Sequence, residues 1–163
     1  MAFGIVEVIE NWILDEVSVP NADTNNIPLC PYAKKAWFKN DVKVVWQNDT
    51  DLWKTVFSEV DKFDDTFKVV ICGIDHWVQT YEEMENFCFA LNARFAHEGK
   101  DIWLLAFEGE YTMIFIQRLS HLDDAAAWLE KMGYYNAYDP NDYQKLIANR
   151  RNWRLYDEEK AYA

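Results

Sequence analysis

Three side chains in this 163-residue sequence have the reactivity that covalent or acid–base chemistry would need in one place: Cys30, Asp75 and His76. Cys30 lies in "IPLCPYAKKAW" (residues 27–37), where a thiol precedes a proline, an aromatic residue and a helix-forming run. That order suits a thiol at a helix N-terminus, where partial positive charge and unpaired N–H groups favour the thiolate. Pro31 then fits the first helical position, where its missing N–H costs nothing. Lys34, four residues beyond the thiol, adds positive potential. Ala33 stands where a C-x-x-C pair would have its second cysteine, so the familiar dithiol mechanism is excluded. The competing expectation is structural: cysteine is among the most buried residue types, and Cys30 would then simply fill a turn.

Asp75 and His76 belong to "GIDHW" (73–77), which directly follows an apolar β-branched run. The C-terminal edge of parallel strands is where α/β proteins place ligands. Gly73 permits a tight turn or a close ligand approach, and Asp75 with His76 would serve as an acid–base pair or as ligands. A crevice there would be lined by Gly73, Trp77 and Lys34. The alternative is a plain loop with Trp77 covering the core.

Carboxylates are abundant, and the possible ligands of a metal centre are His76, Glu82, Glu85, His97 and His121. No H-E-x-x-H, H-x-x-x-H or E-x-x-H spacing is present, and no metal is expected. His97 suits the last turn of its helix, where a cation meets the negative end of the dipole. There is no G-x-S-x-G elbow, no G-x-G-x-x-G and no Walker sequence, so no cofactor is expected.

A third feature is the C-terminal end. "GYYNAYDPNDY" (133–143) holds Tyr134, Tyr135, Tyr138 and Tyr143, and "NRRNWR" (149–154) follows with Arg150, Arg151, Trp153 and Arg154. Tyrosine buries area while keeping a polar handle, and arginine interleaved with aromatics is common at interfaces. The alternative is a terminal helix that docks back with its arginines over acidic neighbours.

Composition restricts the partners. A formal charge of −12 disfavours nucleic acid, whose affinity depends on neutralised phosphates. Three widely spaced cysteines form neither a disulfide framework nor a zinc knuckle, which fits reduced thiols in a cytoplasm. Glu7, Glu10 and Asp15 interrupt the N-terminal apolar run, so no signal peptide is expected, and no window is apolar enough for a membrane span.

The elements that would position these residues follow from periodicity. Val6, Ile9, Ile13 and Val17 form an apolar stripe on a first helix, residues 4–18. "VKVVW" (42–46) and "FKVVICG" (67–73) read as strands around a helix over 49–63, which has Leu52, Trp53, Val56, Phe57 and Val60 on one face. Strand–helix–strand predicts parallel pairing. Thr80 and Glu83 have capping-box spacing before a helix with Met84, Cys88, Leu91 and Phe95 on its stripe, closed by Gly99. "DIWLLAF" and "YTMIFIQ", joined by "EGE", predict an antiparallel hairpin. Ser120, with Asp123 three residues on, offers the cap of a helix carrying Leu122, Ala126, Leu129 and Met132, and a helical tail is expected over 141–160. The whole predicts one α/β domain over 1–163: a mixed sheet of about four strands covered by helices. A ferredoxin-like core with extra helices would use the same number of elements.

With these residues in place, a similarity can be stated. The first helix with Trp12, followed by Leu29, Cys30, Pro31, Tyr32 and Ala33, resembles a family of small uncharacterised bacterial proteins with a tryptophan-containing first helix and a leucine–cysteine–proline–aromatic–alanine motif. The resemblance covers about the first 37 residues and implies no activity. The short string is also similar to the helix start of glutaredoxins, where it follows a strand rather than a helix and a polar loop.

The expected function is that of a small soluble accessory or protein-interaction protein, its partner another protein or a second copy of the chain. The alternative is a ligand-binding protein or enzyme built on Cys30, Asp75 and His76.

Overall fold

The computed structural model describes residues 2–47, 51–74, 79–108 and 111–153. Helix α1 (Ala2–Trp12) runs into a π-helical turn at Ile13–Val17, and a two-residue antiparallel ladder, β1 (Pro20–Asn21) with β2 (Ile27–Pro28), follows. Short helix α2 (Ala33–Phe38), strand β3 (Val42–Gln47), helix α3 (Leu52–Lys62) and strand β4 (Val69–Ile74) make the strand–helix–strand unit. Then come α4 (Tyr81–His97), β5 (Trp103–Phe107), β6 (Met113–Gln117), α5 (Leu119–Lys131), α6 (Pro140–Tyr143) and a second π-helical turn at Gln144–Ala148.

The main sheet has the order β3-β4-β6-β5, with β3 and β4 parallel and the remaining pairs antiparallel. This is the mixed four-stranded α/β sheet that the sequence predicts. The two strands of the strand–helix–strand unit pair directly, in register Val42↔Val69. A ferredoxin-like core would split that unit with an intervening strand, so that alternative falls.

Successive side chains of a strand point to opposite faces, and each face buries its own cluster. On one face Val70, Cys72, Ile74, Leu104, Ile114 and Ile116 meet Leu52, Val56 and Val60 of α3 and Met84, Cys88 and Phe95 of α4. On the other, Ile71, Met113, Phe107 and Phe115 meet Ile5, Ile9, Ile13 and Trp12 of the N-terminal helix, with Trp37 of α2. Each fully buried Leu, Ile or Val contributes about 1.5–3 kcal/mol.

Several stripes differ from expectation for a physical reason. The N-terminal stripe is Ile5, Ile9, Ile13 and Val17, while Val6 is exposed. Spacing of four overshoots a 3.6-residue turn, and the π-helical turn, closed by Ser18 N–H to Ile13 O at 2.9 Å, absorbs the drift. On α3, Trp53 packs half-buried against the core but Phe57 turns into solvent, and Thr55 and Glu59 are buried as well. The capping box of α4 forms as read, with Thr80 and Glu83 exchanging side-chain and backbone bonds. Ser120 does not cap α5: it lies inside the helix, and Asp101 accepts its N–H at 2.8 Å and its hydroxyl at 2.5 Å. Met132, expected on the stripe, ends α5 in solvent, while Asp123 takes a buried place.

The outer edge of β5 is closed. The Asn92 side chain donates to Leu104 O at 2.9 Å and accepts the Leu104 N–H at 2.7 Å, and the Tyr81 hydroxyl reaches Ala106 O at 3.4 Å. Both outward-facing residues of this strand thus bond to side chains of α4.

Candidate interaction surface around Cys30

The β1–β2 ladder sets the position of Cys30. Thr24, buried within the turn, donates to Ile27 O at 2.6 Å, and Asn25 and Asn26 take left-handed φ values of 57° and 61° that asparagine tolerates. Beyond the ladder, Cys30 N–H donates to Val17 O at 3.1 Å. The segment then lies along the C-terminal end of α5. Asn25 Nδ2 donates to Met132 O at 3.1 Å, the Tyr134 hydroxyl donates to Leu29 O at 2.6 Å, and the Tyr32 and Trp128 rings approach to 6.3 Å.

The placement corrects the helix-start reading. Tyr32 is the N-cap of α2 and Ala33 its first residue, so Pro31 precedes the helix and Cys30 stands two residues before the cap. The half-buried thiol is pushed up by burial, which outweighs opposing bonds from the Tyr32 and Ala33 N–H groups. Desolvation disfavours the anion here, the reverse of thiolate activation. Lys34 is exposed on α2.

Gly73 has a packing role. An added Cβ would lie 2.2 Å from the Trp46 ring, so the glycine admits that ring against the sheet. Asp75, His76 and Trp77 lie outside the described residues, as does Arg154. At the other end of the parallel strands, a cleft of about 170 Å³ is lined by residues including Lys43, Glu59 and Phe63. Its buried carboxylate, Glu59, is already engaged by Lys43 at 2.8 Å and Lys62 at 3.7 Å.

The tyrosine–arginine end turns inward. Tyr134 and Arg150 are buried. Tyr134, Tyr135 and Tyr138 pack on one another with ring centroids 4.8–6.2 Å apart, and burial raises the pKa of all three, Tyr135 to about 12. Arg150 Nε donates to Asp123 Oδ1 at 2.7 Å, Arg151 Nη1 to Glu130 Oε2 at 2.9 Å, and Trp153 packs on Trp103 at 5.5 Å. Tyr143 also donates to Glu130. These groups fasten the helical residues 149–153 to α5 and β5 rather than presenting Arg150 and Arg151 as an arginine surface.

What the tyrosines support from beneath is exposed. Leu29 (41%), Tyr32 (45%), Trp128 (49%) and Met132 (47%) are large apolar side chains left in solvent on the two segments that meet here. Continuing the β1–β2 register by one pair places exposed Val19 opposite Leu29. Sequence reading found Leu29 and Tyr32 only as parts of a motif. By spacing Met132 belongs to the stripe of α5, and the exposure of Trp128 depends on which face α5 turns to the sheet.

Among the described residues no group of three or more His, Cys, Asp or Glu side chains is arranged to hold a metal, and no helix is long and apolar enough to cross a membrane. No protein-family model, curated protein or solved structure matches this chain.

Proposed function

We propose that the protein is an accessory domain that docks another protein on the surface formed by Leu29, Tyr32, Trp128 and Met132. One observation carries this reading. Two segments 105 residues apart are fastened by the Tyr134–Leu29 bond, yet the large apolar side chains they bring together stay in solvent. Contiguous exposed apolar groups on a folded chain mark interaction sites, and Trp and Tyr are the usual anchors. In this reading Cys30 is a half-buried floor of the surface, and Tyr134, Tyr135 and Tyr138 are its support. The kinship suggested by Trp12 and the Leu29–Ala33 string is proposed on those residues alone.

The test is site-specific photo-crosslinking in cells expressing the protein, with Trp128→p-benzoylphenylalanine compared with the same replacement at exposed Asp61 on α3. A discrete adduct at position 128, suppressed by Tyr32→Ser and absent from position 61, is the expected result. Equal labelling at both positions, or none at 128, would overturn the proposal.

A further inference from the structure

Helix α2 continues directly from this surface, since its N-cap is Tyr32 and Tyr32 touches Trp128. Its inner side is committed to the core through Ala33 and Trp37. Its outer side carries Lys34, Lys35 and Lys39 with Phe38, which at 58% is more exposed than any other large apolar residue described. Phe38 lies four residues from Lys34 and three from Lys35, the spacings that make neighbours on a helix surface.

What sets this helix apart is three lysines within six residues. Five other lysines are engaged internally: Lys43 and Lys62 on Glu59, Lys68 on Asp41, Lys100 on Glu98 and Lys145 on Glu85, whereas Lys54 and Lys131 stand singly without an ion pair among the described residues. Among the described residues Lys34, Lys35 and Lys39 form no ion pair. A chain of net charge −12 therefore leaves uncompensated positive charge beside its exposed aromatic and aliphatic groups.

We propose that the partner is an acidic, amphipathic protein segment, its Leu or Phe side chains seated on Leu29, Tyr32, Phe38 and Trp128 and its carboxylates facing Lys34, Lys35 and Lys39. This deepens the interaction reading above and rests on it. The apolar contacts supply affinity, while the lysines set orientation and association rate. Three lysines on a short helix suit a segment better than a nucleic acid or an anionic bilayer, either of which would press an extended negative surface against an acidic protein.

The full chain is titrated by fluorescence anisotropy with a short labelled peptide of Glu, Leu and Phe. Comparison probes are the same peptide with Lys for Glu, a single-stranded oligonucleotide, and vesicles of phosphatidylserine and phosphatidylcholine. The acidic peptide should bind, more weakly as salt rises. The triple variant Lys34→Glu, Lys35→Glu, Lys39→Glu should weaken it about tenfold or more, and Trp128→Ser should weaken it separately. All four positions are exposed, so circular dichroism should be unchanged. Equal binding of the Lys peptide, or indifference to charge reversal, would overturn the acidic partner while leaving the apolar surface in place. Binding that responds to charge reversal but not to Trp128→Ser would overturn the surface itself. Tighter binding to the oligonucleotide or vesicles, no binding of the acidic peptide, or self-association abolished by charge reversal would each overturn the proposed occupant.

Discussion

Arg150 and Asp123 form an ion pair almost sealed from water, with side chains 9% and 5% exposed and Nε 2.7 Å from Oδ1. The Arg150 guanidinium also sits 5.9 Å over the Trp103 ring, and Asp123 Oδ2 has no hydrogen-bond partner. A buried pair of this kind recovers its desolvation cost only while both charges are present. Asp123→Ala should therefore cost about 3–5 kcal/mol by urea unfolding. Asp123→Leu combined with Arg150→Met should recover most of that loss. A double variant as unstable as Asp123→Ala would show that the pair does more than compensate its own burial.

Asn92 replaces a missing strand at the β5 edge with one side chain. Asn92→Leu would leave the Leu104 N–H and C=O unpaired in a buried place, at about 1–3 kcal/mol for each group. The amide of Leu104 should also lose hydrogen-exchange protection while that of Ile71, in the sheet centre, keeps it. Equal loss at both amides would mean that the whole sheet, not its edge, depends on this residue.

Gly73 and Trp46 interlock across neighbouring strands. Gly73→Ala puts a carbon where the indole stands, and overpacking of this kind costs about 1–3 kcal/mol. Trp46→Leu in the Gly73→Ala background should restore part of the stability. Failure of the second substitution to help would place the strain in the backbone rather than in the ring.

Alkaline sensitivity is written into the core. Burial raises the thiols of Cys72 and Cys88 from 9.0 to about 12, so the folded chain keeps protons that the unfolded chain releases. Their contribution is complete below pH 9 and is lost as pH climbs toward 12. Three units correspond to at most about 4 kcal/mol per thiol. Urea midpoints should fall over this range, and Cys72→Ala should flatten the fall. The remaining slope belongs to Cys88, to Cys30 and to raised tyrosines such as Tyr135.

Cys30 differs from a reactive thiol in the direction of its shift. Alkylation of the native chain should be slower than that of a free cysteine at neutral pH and should accelerate only above the usual thiol pKa of about 8.5. Rapid labelling at pH 6 would restore the thiolate reading.

Signals carried within a few residues were legible in the sequence. The Thr80–Glu83 box gave α4, and the two apolar runs joined by the short "EGE" connection gave β5 and β6, because cap and turn signals are local. The π-helical turn at Ile13–Val17 was not, since four-residue spacing reads as an ordinary stripe until the core demands that Val17 face inward. Nor was the start of α5, because its cap comes from Asp101, 19 residues away. The candidate surface was half legible. Leu29 and Tyr32 belong to a motif, but Trp128 and Met132 join them only through the path of the chain after β2. The arginines misled for the same reason: the partner of Arg150 is 27 residues upstream.

The closed margin of β5 also bears on how molecules could add to one another. A fibre grows when every added chain offers a fresh strand to the next. Among the described residues of the main sheet, Asn92 and Tyr81 occupy one margin, so an added strand is favoured on the β3 side. Two molecules meeting there through the main sheet would each have used its freer margin, which disfavours further growth of that sheet.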